Sequence, residues 1–109
     1  MRRIFYASLA IVLLFTGGCG SARPMTEKEF NGFCYQAGDG GVAGCDTISV
    51  CNPYDAVIGA QQSSLRGCLD ACENIHKPQV WQYINTDCLV AANSARDWCQ
   101  RYCRTAYPQ

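Results

Sequence analysis

The chain is poor in the residues that most chemistry needs. It has one histidine, His76, and no two of its nine cysteines are spaced as Cys-x-x-Cys. That removes the usual thioredoxin-like redox motif and the Cys-x-x-Cys-His signature of covalent c-type haem attachment. A Ser-His-Asp arrangement has one base to draw on, and Ser63 and Ser64 lack the strand-to-helix elbow that activates a serine. There is no Asn-x-Ser/Thr acceptor, no internal repeat and no low-complexity tract. No apolar run reaches the roughly 20 residues a membrane-spanning helix requires. Paired carboxylates such as Asp70 and Glu73 fall on a solvent-facing arc. The expectation is a non-enzymatic protein without cofactor or metal.

The longest apolar run, Ile4 to Phe15, directly follows Met1-Arg2-Arg3. A basic start, an apolar stretch of this length and small residues behind it make an export signal rather than a core helix. Thr16-Gly17-Gly18-Cys19 resembles the lipobox of bacterial lipoproteins, with Thr16 where leucine is usual. The resemblance implies that residues 1–18 are removed, that Cys19 is lipidated and that 19–25 tether a domain over 26–109. Gly20 after the cysteine, in place of Asp, points by the usual bacterial sorting pattern to the outer membrane. The alternative is ordinary cleavage after Ala22, giving a soluble periplasmic or secreted protein. Either way Cys19 leaves the pool of nine and an even set of eight remains for pairing. Arg2-Arg3-Ile4-Phe5 also resembles a twin-arginine signal. That route carries folded cargo, whereas disulfides are better formed after export, so the general secretory route is expected.

Charge narrows the partners. Nine basic residues balance nine acidic ones. Arg2 and Arg3 leave with the signal, so the mature chain has seven against nine and is mildly acidic. That gives no support to nucleic-acid binding, which favours a basic face. The expected partners are the membrane, through the N-terminal lipid, and an unidentified protein. About 90 residues make one domain with a thin core, and disulfides supply the shortfall at about 2–4 kcal/mol each.

The fold class expected is all-α: a small disulfide-stapled three-helix domain containing an antiparallel Cys-x3-Cys hairpin. Thr26-Glu27-Lys28-Glu29 reads as a capping box that starts a helix to about Gln36, with Phe30, Phe33, Cys34 and Ala37 at helical spacing. Gly38-Asp39-Gly40-Gly41 stops it. A loop is expected from Val42 to Val50. Asn52-Pro53 reads as a helix start, and a single amphipathic phase from Tyr54 to Lys77 predicts one long helix, kinked near Gln61 to Ser63 and ended by Pro78. A short helical turn over Pro78 to Asn85 follows. Thr86 or Asp87 then caps a last helix to about Thr105, with Cys88, Ala91, Ala92, Ala95, Trp98, Cys99 and Tyr102 to Cys103 on its inner arc.

Cys68-x-x-x-Cys72 and Cys99-x-x-x-Cys103 each place two sulfurs one turn apart on a helical face. Two such helices running antiparallel join as nested bridges, Cys68–Cys103 and Cys72–Cys99. The pattern resembles the twin Cys-x3-Cys hairpins of small mitochondrial chaperones, over those four cysteines alone, and the resemblance implies hairpin geometry and nothing of function. Eight cysteines allow on the order of a hundred connectivities. For the other four, Cys34–Cys88 is expected to pin the first helix and Cys45–Cys51 to close the loop. Cys68, Cys72 and His76 also form a soft-ligand stripe that can hold Cu(I), similar to bacterial copper-storage bundles. Those need free thiolates, which an oxidising compartment removes. His76 is expected at the surface, near a helix C-terminus whose dipole favours it. Trp81, Tyr83, Trp98, Tyr102 and Tyr107 crowd the last third of the chain. They are expected in the core, with Trp81 and Tyr107 the exposed exceptions.

Overall fold

The computed structural model describes residues 23–36 and 44–108; the stretch expected to be an export signal, Cys19, and the Gly38-Asp39-Gly40-Gly41 expected to stop the first helix lie outside the described residues. The described residues form helices and no strand: α1 (Glu27–Gln36), α2 (Thr47–Cys51), a 3-10 turn (Asn52–Tyr54), α3 (Asp55–Ile58), α4 (Leu65–Tyr83) and α5 (Cys88–Ala106). α4 and α5 make an antiparallel hairpin, and α1, α2 and α3 pack against it. This is the expected all-α, disulfide-stapled domain with three principal helices. Among the described residues no helix is long and apolar enough to cross a membrane.

α1 starts as its sequence dictates. The Thr26 hydroxyl accepts from the Glu29 N–H at 3.1 Å, and the Glu29 carboxylate turns back to take the Thr26 hydroxyl proton at 3.1 Å. Phe30 and Cys34, one turn apart, are then buried on the inner face.

The segment expected to be loop contains α2. Asp46 is its N-cap, accepting from the N–H groups of Ile48 at 3.1 Å and Ser49 at 3.3 Å and from the Ser49 hydroxyl at 2.7 Å. These bonds, the Ser49 hydroxyl foremost, hold the Asp46 carboxyl below its ordinary value. The cap is therefore complete above the usual carboxylate range and is lost as the pH falls through the lowered value. Pro53, with no N–H to give, sits where the coil tightens into the 3-10 turn.

The single long helix expected from Tyr54 to Lys77 is two helices. α3 stops at Ile58, and α4 begins after Ser64, whose extended backbone (φ −160°) and hydroxyl accepting from Gly67 N–H at 3.0 Å make a new N-cap. The interval is held from afar, because Gln62 N–H donates to the Tyr107 hydroxyl at 2.7 Å. The amphipathic phase carries across the break by coincidence of spacing. Ser64→Ala is expected to lower stability by about 1 kcal/mol, read as a shift in the urea midpoint at unchanged slope.

Pro78 does not end α4. Its missing N–H lies on an exposed face where water can satisfy the freed carbonyl. The turn beyond it buries Gln79, whose Nε2 donates to Val50 O at 2.8 Å and ties α4 to α2. The hairpin bend uses Asn85 in the left-handed region (φ 65°), which Asn tolerates better than most residues. Thr86 then caps α5 through its hydroxyl, which accepts from Cys88 N–H at 3.2 Å. The Asp87 side chain makes no cap bond.

The core is thin and rich in sulfur. Phe30 and Tyr54 pack at a tilt, ring centroids 6.2 Å apart, and both are fully buried. Ala91, Ala92 and Ala95 give α5 a small-residue seam. Burial pushes the Tyr54 phenol well above its ordinary value, and its hydroxyl has no partner among the described residues.

Candidate functional site

The eight cysteines of the described residues form four bridges. Cys68–Cys103 and Cys72–Cys99 clamp the hairpin, with Cα atoms 5.6 and 5.9 Å apart, as the Cys-x3-Cys spacing predicts. The other two differ from expectation: Cys34 pairs with Cys51 and Cys45 with Cys88, not Cys34 with Cys88 and Cys45 with Cys51. α2 is the reason. Cys51 is the last residue of this five-residue helix, and Cys45 lies before its extended N-cap Asp46. The helical rise of about 6 Å from Thr47 to Cys51 plus the extended step carries the two cysteines to opposite ends, beyond the reach of a bridge. Cys51, buried beside Val50, meets Cys34 on α1, and Cys45 lies against the start of α5.

The nested bridges bring the sulfurs of Cys72, Cys99 and Cys103 within 4.8 Å of one another, with Cys72 Sγ in contact with Cys103 Sγ at 3.5 Å. A trio of thiolates so placed would suit a soft metal. As bridge sulfurs they are not thiolates, and each is completely buried. The third member of the soft-ligand stripe is engaged as well. His76, expected at the surface, is 6% exposed and donates from Nε2 to Asn93 Oδ1 at 2.8 Å. It is buried because α4 runs seven residues past it, so His76 sits mid-helix and faces α5 instead of a helix end. Its Nδ1 lies 4.0 Å from the Glu73 carboxylate.

An aromatic stack reaches the surface. Phe33 on α1 stacks on Trp98 of α5, centroids 4.2 Å apart and planes within 7° of parallel. The Arg101 guanidinium lies 4.7 Å from the Trp98 ring centre. Phe33 is 37% exposed and Arg101 is exposed. Both rings are held stiffly, since each residue directly precedes a bridged cysteine: Cys34, tied to α2, and Cys99, tied to α4. Asp97 pairs with Arg96 at 3.2 Å, and Arg101 passes over its i−4 carboxylate to lie on the indole. Aromatic rings beside arginine, fixed in place, are what protein-binding hot spots are made of.

The remaining aromatics divide. Trp81 is exposed, as expected, at 77%. Tyr107, expected exposed, is half-buried with its hydroxyl accepting from Gln62. Tyr102 is half-buried and donates to Ile58 O at 3.0 Å, with burial raising its phenol above the ordinary value. The sequence puts Phe33 at helical spacing with Phe30 and Cys34 and Trp98 on the inner arc of the last helix; their convergence depends on how α1 crosses α5. The chain matches no protein-family model, no curated protein and no solved structure.

Proposed function

We propose that the protein is a non-enzymatic cell-envelope lipoprotein, anchored through an acylated Cys19, that holds a disulfide-stapled helical domain out to a protein partner. The observation that carries this reading is the cysteine pairing. Among the described residues the eight cysteines from Cys34 to Cys103 pair with one another in four bridges. Four bridges in one small domain suit an oxidising compartment. The ninth cysteine stands between an apolar run and a short polar stretch, where lipidation would use it. The Phe33–Trp98–Arg101 stack supports the second half of the proposal, as a rigid surface on which a partner can gain affinity without ordering flexible side chains.

The test is the intact mass of the mature protein from its native host, alkylated without reduction. The expected mass begins at Cys19, carries acyl chains and contains no alkylated thiol. A mass beginning at Arg23 overturns the anchor and leaves a soluble exported domain. Alkylated cysteines overturn the four-bridge state.

A further inference from the structure

The four bridges are not equivalent. Six half-cystines, those of Cys34–Cys51, Cys68–Cys103 and Cys72–Cys99, are at most 1% exposed. Cys45 and Cys88 are the two that solvent reaches, both half-buried at the rim of the core. Thiol–disulfide exchange needs a thiolate to approach a sulfur, so three bridges are closed to it while the fold persists and one is open. We propose that Cys45–Cys88 is an exchange site for a dithiol, with Cys45 the sulfur attacked and Cys88 the sulfur that leaves.

The asymmetry within the bridge sets the direction. Cys88 is the first residue of the 19-residue α5, and the Asp87 side chain makes no cap bond there. Thr86 takes the N–H groups of Cys88 and Leu89, and the positive end of this long helix's dipole favours a thiolate on Cys88. Cys45 precedes only the five-residue α2, whose dipole is correspondingly weak. The carboxylates of Asp46 and Asp87 adjoin the two half-cystines, one each, and so oppose either thiolate alike.

The steps balance as follows. One thiolate of the dithiol attacks Cys45 Sγ, the Cys45–Cys88 bond breaks, and its electron pair stays on Cys88 Sγ as thiolate. The second thiolate of the dithiol attacks its own sulfur in the mixed disulfide and releases Cys45. The dithiol is oxidised by two electrons and the bridge is reduced by two, leaving thiols at 45 and 88. The domain survives the exchange, because Cys34–Cys51 keeps α2 on α1 and the nested pair keeps the hairpin shut.

Two probes applied to the folded mature protein test this. Limiting dithiothreitol, quenched with N-ethylmaleimide and mapped by peptide mass, is expected to give a two-thiol species labelled at Cys45 and Cys88. That species should be in at least about tenfold excess over any other pair, since reaching the others requires opening the core. First labelling at any other pair, or loss of all bridges together, overturns the exchange site. Glutathione, a monothiol that cannot complete the second step, is expected to be trapped on Cys45 with Cys88 alkylated. Glutathione mapped to Cys88 overturns the direction of attack.

Discussion

Replacing Cys68, Cys72, Cys99 and Cys103 together with alanine is expected to abolish cooperative unfolding, whereas removing either nested bridge alone leaves a folded domain. Cys68–Cys103 spans 35 residues, and closing a loop of that length constrains the unfolded chain by about 4 kcal/mol. With it in place, Cys72 and Cys99 are already joined through one helical turn on each side. The second bridge therefore closes a ring of only about ten residues and adds about 2.5–3 kcal/mol. Either single removal thus costs about 3 kcal/mol. Losing both costs about 6–7 kcal/mol, against the 5–15 kcal/mol or so that holds ordinary domains together. The fully buried sulfurs also fill the space between α4 and α5, so alanine leaves a gap there that the entropy alone does not count. Urea titration followed by near- and far-UV circular dichroism decides it. A four-alanine variant that still unfolds cooperatively within 2 kcal/mol or so of the parent would show that the hairpin packs without its staples.

The hairpin was legible from sequence because Cys-x3-Cys states two things at once. The spacing gives the face, and the duplication gives the partner. Nothing comparable marks the other four cysteines. Their pairing follows from α2, and α2 is hard to see: Thr47, Ile48 and Val50 are β-branched and read as extended, and five residues show no helical period. Its one signal was Asp46, an N-cap residue whose role depends on the turn it caps. The break at Gly59 to Ser64 carries one local signal, a Ser63-Ser64 pair able to cap a helix, against an amphipathic phase that runs through it unbroken. Pro78 failed in the opposite direction, because its cost is paid on an exposed face while Gln79 and Tyr83 go on packing beyond it. A helix that ends at Lys77 places His76 at a terminus, whereas one that runs to Tyr83 places it mid-helix and buried. The Phe33–Trp98 stack joins residues 65 apart in sequence through the crossing of α1 over α5, and no local pattern encodes a crossing.

Phe30→Ala is expected to cost about 3–5 kcal/mol, and Phe33→Ala, three residues on along the same helix, about 1 kcal/mol. Phe30 is fully buried, against Tyr54 and the sulfur-filled core, and a domain with so few large buried side chains has little to collapse into the vacated space. Phe33 lies on the outer side of α1, and its removal forfeits one aromatic stack and part of an already wet surface. Urea unfolding of both variants measures the difference. It bears on function as well as on packing. A surface kept for a partner should be dispensable to the fold, so Phe33→Ala should unfold cooperatively near the parent midpoint, whereas Trp98 also packs on the core. If Phe33→Ala instead costs as much as Phe30→Ala, the stack is what fastens α1 to α5, and the proposal that it faces a partner loses its support.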